Sequence, residues 1–267
     1  MALPARSGTI ELIDKGSSSD THPTPLLFVH GGWHGAWCWD EHFLDFFAGA
    51  GYRAIALSVR GHGNSPTTKP LSSCSVADYV QDVRSVADGL PTPPVLIGHS
   101  VGGFIVQMYL EDRSAPAAVL LASMPSHAAR RLGVALRAMR RHPLVALRAN
   151  TVGSTADLVN TPRLARDHLF STHTPESVVE SCAARLQAES WGAPGLAVRL
   201  KRAQITTPLL VLGAENDKLV VNTDVRATAC AYRVQAEFFP GGHNMMLEPG
   251  WPDVAECIHS WLTSQGI

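Results

Sequence analysis

Apolar residues fall into two rhythms along this chain. Short unbroken apolar runs end at glycines, and between them lie longer stretches where apolar positions recur every three or four residues. "SGTIELIDKG" (Ser7 to Gly16) alternates apolar and polar positions, which predicts a strand ending at a flexible "GSSSD" turn. "PLLFVHGG" (Pro25 to Gly32) is continuously apolar until its glycines, as expected of a strand buried on both faces. "YRAIALSV", "PVLIGHS", "PAAVLLASM", "TPLLVLGAEND" and "AEFFPGG" predict the remaining strands. The helical rhythm appears in "WHGAWCWDEHFLDFFAGAG", from about Trp37 to Gly49–Gly51, and in "SVADYVQDVRSVADGL", where Ser75 fits an N-cap. It returns in "VGGFIVQMYLEDR", "TDVRATACAYR" and "WPDVAECIHSWLTS". Strand and helix alternate with short connections, so the expected class is α/β: a mostly parallel, doubly wound sheet with helices on both faces.

The alternation stops between residues 125 and 203. This stretch is rich in Ala, Leu and Arg and has no buried-strand run. "RRLGVALRAMRRHPLVALRAN" predicts a helix with Leu132, Leu136 and Met139 along one face and solvated arginines on another. "TPESVVESCAARLQAES" offers Thr174 as N-cap and Pro175 at the first helical position. Strands of the same kind flank the stretch. The division expected is a core of residues 1–124 and 204–267 carrying a helical insertion at 125–203.

Composition adds exclusions. The 267 residues are 45% hydrophobic and 17% charged, with a net charge of −1, which gives no basic field for a nucleic-acid backbone. Five scattered cysteines without a Cys-x-x-Cys pair suit neither a disulfide framework nor a zinc site. No stretch reaches the roughly 20 apolar residues of a membrane span, and the first twenty residues lack a secretory signal. A cytoplasmic protein acting on a small molecule is expected, with the oligomeric state left open, a homodimer included.

The candidate chemistry centres on "VLIGHSVGGF", in which Ser100 sits within Gly98-His99-Ser100-Val101-Gly102. At a junction of buried strand and apolar helix, a sharp turn pushes a serine hydroxyl out above the sheet edge. A phosphate-binding turn would need Gly-x-Gly-x-x-Gly or Gly-Lys-Ser/Thr, and neither is present. A nucleophilic serine requires a base and a group that orients the base. His243, in "FFPGGHNMMLEP", is the one histidine of twelve that follows Ser100 on a loop after a strand. Asp217 ends "LLVLGAEND" at the tip of the preceding strand and is preferred as orienter over Glu215. "HGGW" (His30 to Trp33) follows the first buried strand, so Gly32 N–H and Val101 N–H are the expected oxyanion donors. His30 and His34 stand four apart on a glycine-rich loop without the intervening Glu of a metal helix, so no metal is expected there.

Together, "HGGW", "RGHGNS", "GHSVGG", "GAEND" and "GGHNMMLEP" resemble the α/β-hydrolase superfamily in order and placement. That resemblance covers most of the chain outside the insertion, which corresponds to the family's helical cap. "HGGWHGAWCW" is similar to the plant methylesterase and hydroxynitrile lyase branch, and "RGHGNS" to bacterial esterases. The lyases carry Lys after the catalytic His and Thr in the oxyanion loop, where this chain has Asn244 and Gly31. The resemblance implies a serine carboxylesterase acting on small to medium apolar esters through an acyl-enzyme, without metal or organic cofactor. Trp33, Met124 and Trp191 are the candidates for its substrate pocket. Carbon–carbon hydrolysis or lyase chemistry on the same triad, or a non-catalytic ligand receptor on this scaffold, are the alternatives.

Overall fold

A computed structural model describes residues 9–151 and 153–267. Ser7 and Gly8 of the expected first strand, the rest of the first eight residues and Val152 lie outside the described residues. Seven strands form one sheet in the order β1-β3-β2-β4-β5-β6-β7. They are β1 (Leu12–Lys15), β2 (Leu26–Val29), β3 (Ala54–Leu57), β4 (Val95–His99), β5 (Ala118–Leu121), β6 (Leu209–Ala214) and β7 (Ala236–Phe239). Only β1 runs antiparallel, at the edge beside β3. Its alternating sequence fits that place, because one face of an edge strand meets water. Strands β2 to β6 are buried at every position, which is why their sequences are unbroken apolar runs.

The strand order reverses direction between β2 and β4. From β2 the chain moves outward to β3, then returns past β2 to β4 and continues the other way. Right-handed crossovers in the two directions put their helices on opposite faces and open a crevice at the carboxyl ends of β2 and β4. The register Val29↔Gly98 sets those two ends side by side.

The helices follow the apolar spacing with three differences. The Trp-rich segment forms two short helices, α1 (Trp37–Asp40) and α2 (Phe43–Gly49), because His42 leaves helical geometry at φ −149°. α3 (Val76–Asp88) begins at Ser75, whose N–H donates to the Asp78 carboxylate at 2.7 Å, and α4 (Val101–Tyr109) follows Ser100 directly. After β5 come α5 (Ala128–Arg141), α6 (Pro143–Thr151), α7 (Pro162–Leu169) and α8 (Glu176–Ala183); α9 (Asn222–Ala231) and α10 (Trp251–Ser264) complete the chain.

The second difference is the buried face of α5. Leu132 is exposed, and Leu136 and Met139 are only half-buried; the helix packs through Val134 and Ala138 instead. Arg131, expected in solvent, is fully buried. Its guanidinium donates to the carbonyls of Pro125 and Ser126 at 2.9 Å and of Gly195 at 3.1 Å, donates also to Val198, and lies 4.1 Å above the Phe104 ring. Five N–H groups in a planar fork can satisfy several loop carbonyls at once, which no apolar side chain can do. Third, α8 starts one residue later than expected, with Pro175 at the cap and Thr174 donating to Glu248 at 2.6 Å.

Candidate active site

Ser100 follows β4 and precedes α4, with φ 51° and ψ −117°. A positive φ is unfavourable for a residue with a Cβ and costs on the order of 1–3 kcal/mol, so the surroundings must enforce it. They do so through Ser100 N–H to the Leu121 carbonyl at 3.1 Å and Met124 N–H to the Ser100 carbonyl at 2.9 Å. Gly102 lets the turn close: a Cβ there would stand inside contact distance of the Val29 and His30 carbonyl oxygens. The first turn of α4 therefore lies hard against the end of β2, and the serine side chain faces the crevice.

Three residues that the sequence suggested for catalysis meet here. The Ser100 hydroxyl lies 2.9 Å from His243 Nε2, and His243 Nδ1 lies 2.7 Å from Asp217 Oδ2. Asp217 Oδ1 accepts the N–H groups of Leu219 and Val220 at 2.8 and 3.0 Å, so both carboxylate oxygens are engaged. Because a carboxylate only accepts, the Asp217 contact puts the proton on Nδ1 and leaves Nε2 free to accept from Ser100. All three side chains are buried. Glu215, the rival acid, is exposed and belongs to no such contact.

The loop after β2 meets Ser100 from the other side. A Cβ on Gly31 would approach Ser100 Cβ to 2.9 Å, and one on Gly32 would reach Val101 Cγ2 at 3.7 Å. Val101 N–H, at the first turn of α4, has no carbonyl one turn earlier to bond. Gly32 and Val101 both line the cavity onto which Ser100 opens.

The histidines of the first loop hold it in place. His30 Nε2 accepts the Val59 N–H at 3.1 Å, and its Nδ1 donates to the Gly31 carbonyl at 2.7 Å. His34 Nδ1 donates to the Gly32 carbonyl at 2.7 Å, so its Nε2 must accept, and Asn244 supplies the amide N–H at 3.1 Å. The His34 ring thereby links the glycine loop to the residue after His243. Burial lowers His30 well below the ordinary histidine range and His34 to about 4, so both rings are neutral linkers at neutral pH. No group of three metal-ligating side chains converges among the described residues.

A cavity of about 220 Å³ opens above Ser100. Trp33, Met124 and Trp191 all line it, although Trp191 is 45% exposed and stands at its rim. Val134, Ala138 and Leu158, from the segment between β5 and β6, supply further apolar wall, together with Leu219 after β6. One lining residue gave no signal in the sequence: Glu189, a buried carboxylate in this apolar surface. Its partners Tyr79 and His62 are more than a hundred residues away in the chain, and only His62 lies in a motif, "RGHGNS".

Residues 26–255 match a family model described as the alpha/beta hydrolase family. The probable esterase PIR7A of Oryza sativa subsp. indica is 31% identical over 167 residues, which cover 57% of this chain and 62% of that protein. The match therefore spans less than two thirds of the rice relative's length. A monoacylglycerol lipase of Mycolicibacterium smegmatis is 25% identical over 275 residues, covering 96% of this chain and 94% of the lipase. Among solved structures, a thermophilic esterase from Thermogutta terrifontis superposes with a TM-score of 0.72 at 22% identity, covering 97% and 94% of the two chains. At that identity the likeness speaks for the fold.

Proposed function

The chain belongs to the alpha/beta hydrolase family, and from that premise we propose that it is a serine hydrolase of carboxylic esters with small to medium apolar substituents. The observation that carries the reading is the unbroken contact line Ser100–His243–Asp217 beside a largely apolar cavity. In this proposal His243 takes the Ser100 proton as the oxygen attacks the ester carbonyl. The N–H groups of Gly32 and Val101 hold the negative oxygen of the tetrahedral intermediate. His243 then passes its proton to the departing alcohol, leaving the acyl group on Ser100. Water, deprotonated by the same imidazole, releases the acid. Asp217 keeps the productive tautomer and stabilises the imidazolium.

The roof from residues 125–203 acts as a cap, with Trp33, Met124 and Trp191 contacting the substrate. The rice and mycobacterial relatives, named as an esterase and a lipase, support ester substrates over carbon–carbon bonds. Labelling with a fluorophosphonate tests the nucleophile directly. The expected result is covalent modification at Ser100, abolished in Ser100→Ala. Absence of labelling in the folded protein would return the non-catalytic receptor reading.

A further inference from the structure

Among the described residues, Glu189 is the one ionisable side chain lining the cavity above Ser100. Placing a carboxylate against Trp33, Met124 and Leu158 costs several kcal/mol unless both oxygens find donors. The chain satisfies one of them well. Oε1 accepts the Tyr79 hydroxyl at 2.8 Å and the Ser190 N–H at 2.6 Å. Oε2 has His62 Nε2 at 3.4 Å, near enough for an ion pair, yet that nitrogen makes no hydrogen bond. On its other side Oε2 faces the oxyanion loop, where a Cβ on Gly32 would come within 3.4 Å of Glu189 Oε2.

The segment bearing Glu189 is fastened on several sides. Gln187 N–H donates to the Trp33 carbonyl at 2.9 Å, and the Gln187 side chain accepts Gly63 N–H at 2.7 Å. Glu189 N–H donates to the Thr155 hydroxyl, which donates in turn to the Glu189 carbonyl at 2.6 and 2.7 Å. The Ser190 hydroxyl donates to the Cys74 carbonyl at 2.5 Å. An acceptor oxygen held this rigidly beside a reaction centre is organised before any ligand arrives.

We propose that Glu189 Oε2 forms a hydroxyl-recognition subsite beside the oxyanion loop, selecting esters that carry a hydroxyl group within three or four bonds of the carbonyl carbon. The inference rests on the esterase reading of the same site. A hydroxyl fits better than an ammonium group because His62 already faces the carboxylate. Burial opposes protonation of His62, but the Glu189 charge and the Arg60 carbonyl raise its proton affinity above the ordinary value. His62 Nε2, 3.4 Å from Oε2, already takes the side of the carboxylate that a cation would approach, and leaves an acceptor suited to a neutral donor. A donor hydroxyl completes the set of hydrogen bonds that the chain leaves open.

The test compares matched esters of equal shape. On the acyl side these are 4-nitrophenyl 3-hydroxybutanoate and 4-nitrophenyl 3-methylbutanoate. On the alcohol side they are the 2-hydroxyethyl and propyl esters of one acid. A hydrogen bond to a charged acceptor predicts that kcat/KM favours the hydroxyl member of at least one pair by roughly tenfold or more. In Glu189→Gln, the Tyr79 and Ser190 donors keep the amide oxygen at the Oε1 place and put NH2 where Oε2 was. The preference should then shrink to within about threefold, mainly through KM. If that variant fails to fold, Glu189→Asp draws the carboxylate back and should weaken the same preference. Equal losses for both members of each pair, no preference in the wild type, or a stronger preference for an amino-bearing analogue would overturn the subsite. Failure to hydrolyse any member, apolar controls included, would instead overturn the esterase reading.

Discussion

Asp217 and His243 are 26 residues apart in the chain, yet Oδ2 of one lies 2.7 Å from Nδ1 of the other with both side chains buried. The contact fixes a tautomer, so its loss should be felt in turnover more than in folding. Asp217→Asn is expected to lower kcat by roughly 10³–10⁴-fold, because an amide can donate to Nδ1 and so favour the wrong tautomer. Glu215→Gln should stay within about threefold of wild type on the same ester. A large loss from the Glu215 change with none from the Asp217 change would reverse the assignment.

Ser100→Ala should reduce kcat on a short-chain aryl ester by about 10⁴-fold or more if the three residues act as a unit. Alanine keeps the Cβ and the positive φ that the turn enforces, so the fold is expected to be unchanged and the melting temperature serves as the control. A retained rate would remove Ser100 from the mechanism.

Chain length selectivity should respond to the roof. Ala138 is buried on α5 and lines the cavity of about 220 Å³. Ala138→Phe introduces a ring into that space. Activity on acetyl esters should survive within a few-fold, while activity on octanoyl esters should drop by tenfold or more. Parallel losses on both would place the acyl chain elsewhere.

Acid should destabilise the fold through its buried neutral histidines. Burial lowers His34 and His168 to about 4 each, with nearby His142 and Arg141 adding to the effect on His168. In the unfolded chain each would take a proton near pH 6.5. Below 6.5 the unfolded state therefore binds more protons, and stability falls as pH drops from 6.5 toward 4. The loss approaches about 3 kcal/mol per group across that window. Neither ring nitrogen of His168 has a hydrogen-bond partner, so His168→Phe should cost little at pH 7 and flatten the acid slope. Urea unfolding of both proteins at pH 7, 5.5 and 4.5 measures this, and identical slopes would contradict it.

Arg131 should behave as a core residue. Arg131→Met keeps an apolar stem of similar reach but strands the carbonyls of Pro125, Ser126, Gly195 and Val198. A loss of about 3 kcal/mol or more in unfolding free energy is expected. A change under 1 kcal/mol would show that water satisfies those carbonyls equally well.

The amino-acid sequence by itself determined the sheet and the catalytic candidates, since both are written locally. A strand buried on two faces must be continuously apolar, as in Leu26–Val29 and Leu209–Ala214, and a serine forced into a tight strand–helix turn needs glycines such as Gly98 and Gly102 close by. Ser100, Asp217 and His243 could be ordered because each ends a readable strand. Where contacts are long-range, the local pattern misleads. The apolar spacing on α5 pointed to Leu132, while the tertiary structure buried Arg131, whose loop carbonyl partners include two that lie more than sixty residues away. The same holds for Glu189, an ordinary acidic residue in sequence. Only the packing of Tyr79, His62 and the Gly32 loop around it makes a buried carboxylate that lines the cavity. Periodicity records which side of an element avoids water, but a polar group's role depends on which distant partners fold against it.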